Sequence, residues 1–584
     1  MSWKIAIPLV LLLSPPVFGA GTLQNSKHNL SVTGTGTAHA ASESQTCIFC
    51  HTPHNASPAV PLWNHASSVA SYTIYASTTL KVTATIGQPT GSSKLCLSCH
   101  DGTVALGQTV NDGSITMVGA GPGGRMPAGS SNLGTSLLDD HPVSFQRNPA
   151  DGETIDPPPG DPVRLDGLGQ VQCTSCHDPH SEDADPVTRK FLVKSNQRSQ
   201  VCVTCHRPAY WDANPSVHRN SSAVYTAAQG AHTGYVTVRD NGCESCHRPH
   251  TGGAPERLLK FVEELTCDRC HNGTVVPKNI ASAFTKLYVH PTYRTTPSAH
   301  DASEGPTNPS HPLPEIAPGA PRHAECADCH NPHAAYAAGA NAPNVPGELS
   351  GVWGIDSAGA RVAPALYEYQ ICYKCHGDSA NKPQPSTLPD PPYTRRQIVQ
   401  FNTRLEFDPG NPSHHAVEAA GRSVDVPSLL PPYTTASVIY CSSCHNSDTG
   451  PEAGGTGPAG PHGSQYPHIL ERNLVVGDTG SGSIGTMYAL CFKCHAQSSI
   501  LGDVTFGQHR KHVEGEHASC TVCHDPHGVS LTQGNATNNA RLINFDLDVV
   551  HPPSGGVLSF DKQAGRHGAC YLLCHGKEHN PETY

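Results

Sequence analysis

Every cysteine in this chain belongs to one repeated spacing. The 24 cysteines form twelve pairs, each followed at once by a histidine, and none is left over. Eleven sites read Cys-x-x-Cys-His: Cys47, Cys50 and His51; Cys96, Cys99 and His100; Cys173, Cys176 and His177; Cys202, Cys205 and His206; Cys243, Cys246 and His247; Cys267, Cys270 and His271; Cys326, Cys329 and His330; Cys372, Cys375 and His376; Cys441, Cys444 and His445; Cys491, Cys494 and His495; Cys520, Cys523 and His524. The twelfth, Cys570, Cys574 and His575, carries one extra residue between its cysteines.

The spacing has a chemical reason. Two thiols form thioether bonds to the two vinyl groups of a haem, and the adjoining histidine lies under the iron as proximal ligand. Zinc ribbons also use paired cysteines, but they do not require histidine after every second one. A disulfide framework would leave the twelve histidines without a role. The sequence therefore predicts twelve covalently attached haem c (heme c) groups.

The second axial ligands must come mostly from histidine. The chain has four methionines, too few to serve most irons. It has 37 histidines, so 25 remain beyond the twelve proximal ones. Ligation by two histidines implies low potentials, because a thioether ligand is what raises them. Five motifs continue as Cys-His-x-Pro-His, giving His54, His180, His250, His333 and His527, with proline stiffening the turn. These extensions mark the first member of successive motif pairs, and the pair 441/491 has His462 or His468 instead. A further histidine precedes each pair: His28, His141, His218, His311, His414, and His509 or His512. One internal and one upstream histidine per pair make twelve distal candidates. His232, His290, His323, His517, His551, His567 and His579 compete with them.

The repeat divides the chain into two-haem modules at 21–130, 131–210, 211–285, 286–395, 396–505 and 506–584, after a secretory signal at 1–20. Lys4 opens that signal, Ile5 to Leu13 form its apolar run, and Gly19 and Ala20 supply small residues near the cleavage point. The run is too short to span a bilayer. Export is expected, to the periplasm or the outer-membrane and extracellular surface. Gly (55) and Pro (52) together make about 18% of the chain, and apolar side chains are scarce. Haem faces, rather than side chains, must supply much of the buried apolar surface, so folding and cofactor attachment should be coupled. Short helical turns are expected to carry each motif, since positions i, i+3 and i+4 share a helix face. A short hairpin or edge strand is expected between Tyr72 and Ile86. The net charge of −11 argues against nucleic acid as a partner.

The runs Ser26-Lys27-His28-Asn29-Leu30, Cys47 to Asn55, Pro61-Leu62-Trp63-Asn64 and Leu95 to Thr103 resemble the doubled-CXXCH multihaem c-type cytochromes of metal-respiring bacteria. That resemblance implies a mostly irregular fold with short helices, a multihaem cytochrome c built from about six two-haem modules packed around a haem chain. It implies that the histidine of x-Pro-His ligates a nearby haem. It also implies electron conduction, with other periplasmic or outer-membrane cytochromes and extracellular metal oxides as partners, as a free protein, a homo-polymer or a porin-conduit component. The rival reading is a multihaem reductase of a small oxyanion such as nitrite. Such enzymes often replace a motif histidine with lysine, and all twelve motifs here keep histidine. No catalytic residue is assigned.

Overall fold

A computed structural model describes residues 23–57, 62–77, 80–82, 85–148, 150–211, 216–253, 256–292, 313–315, 324–380, 394–478 and 482–584. Residues 1–20, expected as a secretory signal, and His311 lie outside these residues. The described chain forms two compact units. One comprises Met1–Pro208 with Tyr225–Lys260, and the other Ala209–Val224 with Phe261–Tyr584.

Regular structure is sparse and brief, as a Gly- and Pro-rich chain with few apolar side chains requires. The longer helices are Gly91–His100, Glu263–His271 and Glu368–His376. Each ends on the second motif of a pair. First motifs sit on single turns such as Cys173–Cys176, Cys326–Cys329 and Cys520–Cys523. In these turns the histidine N–H bonds back to the first cysteine's carbonyl, as in His177 to Cys173 at 3.0 Å and His247 to Cys243 at 2.8 Å. That i to i+4 closure stacks histidine and cysteine on one side of the turn. The twelfth motif departs from the helical expectation. Cys570 and Cys574 lie on the strand Gly568–Cys574, which pairs antiparallel with Ser559–Lys562, Lys577–Thr583 and Val550–His551. Four residues of strand extend about 13 Å, against about 6 Å in a helix.

A two-bond clip follows most first motifs. In the first module Thr52 N–H bonds Leu62 O and Asn64 N–H bonds Cys50 O, so that His51 bridges Trp63. The same two bonds recur around Phe191-Leu192, Leu258-Leu259, Ile469-Leu470 and Leu542-Ile543. In each copy the bulky residue that accepts the bond has a positive φ: Leu62 65°, Phe191 58°, Leu258 50°, Ile469 55° and Leu542 64°. Such residues cost about 1–3 kcal/mol apiece and persist only where the surroundings over-determine them.

Apolar packing is divided among small clusters. Ala518, Val522, Phe545, Val550, Leu558, Phe560 and Leu572 form one, with Cys523, Cys570 and Cys574 against it. Ile355, Tyr369, Tyr373, Phe407 and Val417 form another. The strand expected between Tyr72 and Ile86 is absent among the described residues. Thr73 makes a lone parallel bridge to Ser136. Tyr72 is instead drawn inward, where its hydroxyl donates to Asp101 Oδ2 at 2.6 Å. That polar anchor and the proximity of Leu97 and Leu137 outweigh local β propensity.

Candidate haem sites

Histidines far apart in sequence face each other in pairs across a constant gap. In the first unit His51 faces His180 at 6.2 Å between ring centres, His100 faces His28 at 6.1 Å, His177 faces His250 at 6.1 Å, and His206 faces His141 at 6.1 Å. In the second, His271 faces His218 at 6.1 Å, His330 faces His462 at 6.0 Å, His376 faces His290 at 6.3 Å, His445 faces His527 at 6.1 Å, and His524 faces His509 at 6.4 Å. Each of these pairs joins one motif histidine to one that follows no cysteine. A metal–nitrogen bond of about 2 Å on each side, plus about 1 Å from nitrogen to ring centre, separates trans imidazoles by about 6 Å. The gap fits one iron with two axial nitrogens.

Burial holds many of these rings in the neutral form, whereas at His527 the Glu406 carboxylate outweighs burial and raises the pKa. Burial pushes His141, His177, His271 and His509 down to about 4, and His445 and His462 to about 3. Neutral imidazole is the ligand form. Their tautomers are fixed from behind. Nδ1 of His100 bonds Ser131 O at 2.7 Å, His177 bonds Lys190 O at 2.8 Å, His247 bonds Arg257 O at 2.7 Å, and His524 bonds Arg541 O at 2.9 Å. Three of these carbonyls belong to the residue just before the clip's positive-φ residue, so the strained backbone recurs where it aims a carbonyl at a motif histidine. With Nδ1 so engaged, Nε2 is the nitrogen left to face the gap.

The x-Pro-His turn does two jobs. Its histidine faces the first-motif histidine of the preceding pair, as His180 faces His51 and His250 faces His177. Its proline carbonyl fixes an upstream histidine: Pro179 O accepts from His28 at 2.9 Å and Pro332 O from His218 at 3.0 Å. Pro461 O accepts from His290 at 2.6 Å, and Pro526 O from His415 Nδ1. Pro461-His462 thus fills the x-Pro-His role in the fifth module. His290, weighed only as a competitor, takes the upstream role in the fourth module, where it faces His376.

The surroundings of the other candidates vary. His54 is exposed and faces no imidazole among the described residues. Its turn is nonetheless braced, with Asn111 Nδ2 donating 2.8 Å bonds to His54 O and Thr52 Oγ1. His333 lies beside Trp211 at 5.8 Å. His414 Nδ1 bonds His415 O at 3.0 Å, and its buried Nε2 has no hydrogen-bond partner. Burial lowers His495 to about 4, with His415 and His524 adding to the effect. His575 faces carboxylates, Asp478 at 3.1 Å from Nε2 and Glu516 at 4.0 Å from Nδ1. His512 and His579 face each other at 6.5 Å, although neither follows a cysteine. The sequence reading missed His415 and the clip. The one available signal for the clip was an apolar dipeptide trailing each first motif at variable distance.

Within each unit neighbouring motifs lie close in sequence order. Between pairs, the leading thiols lie side by side: Cys96 with Cys173, Cys202 with Cys243, Cys372 with Cys441, and Cys491 with Cys520. A side chain ahead of the earlier motif caps the next turn. Ser93 Oγ accepts from Cys173 N at 3.0 Å, Ser199 Oγ from Cys243 N at 2.6 Å, and Glu263 Oε1 from Ala327 N at 2.7 Å. Within pairs, Cys50 lies near Cys99, Cys176 near Cys205, Cys444 near Cys494 and Cys523 near Cys570. Lys493 reaches across one such pair to Ser443 O at 2.8 Å. Among the described residues no cysteine is disulfide-bonded and no three His, Cys, Asp or Glu side chains converge as a zinc ion would need. No helix of the described residues is long and apolar enough to cross a membrane.

The doubled CXXCH motif family matches residues 167–209 and 236–275, which hold the second and third motif pairs. Those two stretches carry the doubled CXXCH motif. That motif marks a multihaem c-type cytochrome, covalently loaded with haem c and engaged in electron transfer. No curated protein matches the cytochrome. The paired arrangement seen at the matched residues repeats, by its histidine pairs and thiol contacts, through the later motifs of the second unit.

Proposed function

We propose that this cytochrome carries twelve haems, largely ligated by two histidines each, and conducts electrons along a file that follows the order of the motifs. The observation that carries the reading is the recurrence of paired imidazoles about one iron's width apart, joined through motif-to-motif thiol contacts. Irons held this way have no free coordination position, so they suit electron exchange rather than bond-making. The file would run across the periplasm or the outer surface, in extracellular electron transfer. Its partners would be other cytochromes or extracellular metal oxides, with the chain alone, polymerised, or seated in a porin conduit. A pyridine haemochrome assay with intact mass should give twelve haems per chain. Six would sink the module reading. Protease shaving of intact cells followed by haem staining distinguishes surface from periplasm.

One observation favours a second reading, reduction of a small oxyanion such as nitrite. No imidazole stands opposite His575 among the described residues, and Asp478 and Glu516 lie beside it. An iron there would have an open position. A high-spin ferric signal in the resting protein supports the reductase, and uniformly low-spin spectra support the wire.

A further inference from the structure

The groups behind the facing imidazoles are of three kinds, one being the Thr505 hydroxyl 2.9 Å from His509 Nδ1. Backbone carbonyls serve most of them, as Pro179 O serves His28 and Pro332 O serves His218. Two distal rings instead have a buried carboxylate at Nδ1. His250 Nδ1 lies 2.9 Å from Asp140 Oδ1, and His527 Nδ1 lies 3.1 Å from Glu406 Oε2. Asp140 is 4% exposed and Glu406 7%. Asp140 Oδ2 has no hydrogen-bond partner at all. Around Glu406 the other charges are Asp525 and Arg396, which lie 3.7 Å from each other.

A carboxylate in such a place is costly unless something compensates its charge. At Asp140 the hydrogen-bonded imidazole is that partner. A carboxylate behind a ligating imidazole draws on its N–H and makes the opposite nitrogen a stronger donor to the metal. The ferric haem core also carries one more positive charge than the ferrous core, and a fixed anion nearby favours the ferric state in a low-dielectric site. Both effects push the reduction potential down, and a neutral carbonyl supplies neither to the same degree. Asp178, 3.3 Å from His180 Nδ1, is different because both side chains are about half exposed, 47% and 60%, so water screens the charge.

We propose that Asp140 and Glu406 are positioning residues that depress the potentials of the haems anchored by His177 and His445, one in each unit, making them the last in their units to be reduced. This rests on the two-histidine reading of those sites. The test uses the full-length holoprotein carrying Asp140→Asn or Glu406→Gln, titrated spectroelectrochemically with haem content counted in parallel. Each variant should keep its haems and move one haem's share of the amplitude from the most negative end of the curve to a higher potential. Asp140→Glu should leave that share at the negative end. Curves superimposable on the parent at equal haem content would overturn the proposal, as would loss of haem in both variants, which would assign the carboxylates to assembly. Failure of the underlying ligation reading looks different: His250→Ala would then leave the low-spin spectrum unchanged.

Discussion

A histidine opposite a motif histidine has a measurable consequence that its neighbours in sequence lack. His180→Ala removes the ring 6.2 Å from His51 and should leave one iron five-coordinate. The expected result is one haem's share of high-spin signal in the ferric electron paramagnetic resonance spectrum, at unchanged haem content. His54→Ala, at the same position of the first module's turn, should leave the spectrum of the purified protein as it was, because His54 faces no ring among the described residues. The contrast shows what single residues disclose. Thioether chemistry ties two cysteines and a histidine together over five or six residues, so the proximal set is written locally. A distal ligand answers to no such spacing: His180 lies 129 positions beyond its partner, and its role depends on how modules dock. The stiff x-Pro-His turn was readable as a site, but which iron it serves was not. The Pro526 carbonyl, from a module 111 residues away, holds His415, while the adjacent His414 is itself buried.

At the level of elements, the junctions between pairs are tight enough to be tested with one methyl group. Gly242 precedes Cys243 with φ 57°, and a Cβ there would collide with the Ser199 side chain that caps Cys243. Gly242→Ala should therefore lower stability by about 1 kcal/mol or more, read as a drop in the thermal midpoint of the holoprotein. Ser199→Ala tests the cap itself, with an expected loss of about 0.5–2 kcal/mol. The short helical turns under eleven motifs were legible because i, i+3 and i+4 geometry is a local property. The clip was not, since its residues trail the motif by variable lengths and its positive φ values run against the preferences of Leu, Ile and Phe. The twelfth motif shows the limit from the other side. Its extra residue breaks the helical phase, and the apolar cluster around Phe545 and Leu572 captures the segment as a strand.

Across the whole molecule the facing rings fall into two orientations that follow the repeat. Pairs on first motifs are the flatter set, with interplanar angles of 18° for His51, 41° for His177, 20° for His330, 52° for His445 and 50° for His524. Pairs on second motifs are closer to perpendicular: 63° for His100, 80° for His206, 71° for His271 and 65° for His376. The cause lies in the two anchoring schemes. First-motif partners come from an x-Pro-His turn or its Pro461-His462 equivalent, except His509, whereas second-motif partners are upstream rings pinned mostly on a proline carbonyl. The relative angle matters because each imidazole donates π density through the iron d orbital perpendicular to its own plane. Near-parallel rings act on the same orbital and split the pair, whereas near-perpendicular rings act on both and leave them close in energy. The oxidised protein should accordingly show two low-spin families in its electron paramagnetic resonance spectrum at helium temperature, one rhombic and one strongly anisotropic, in comparable amounts. His180→Ala should subtract from the rhombic family and His141→Ala from the anisotropic one. A single uniform low-spin species would mean that ring orientation does not follow the module plan, and the alternation of sites along the file would go with it.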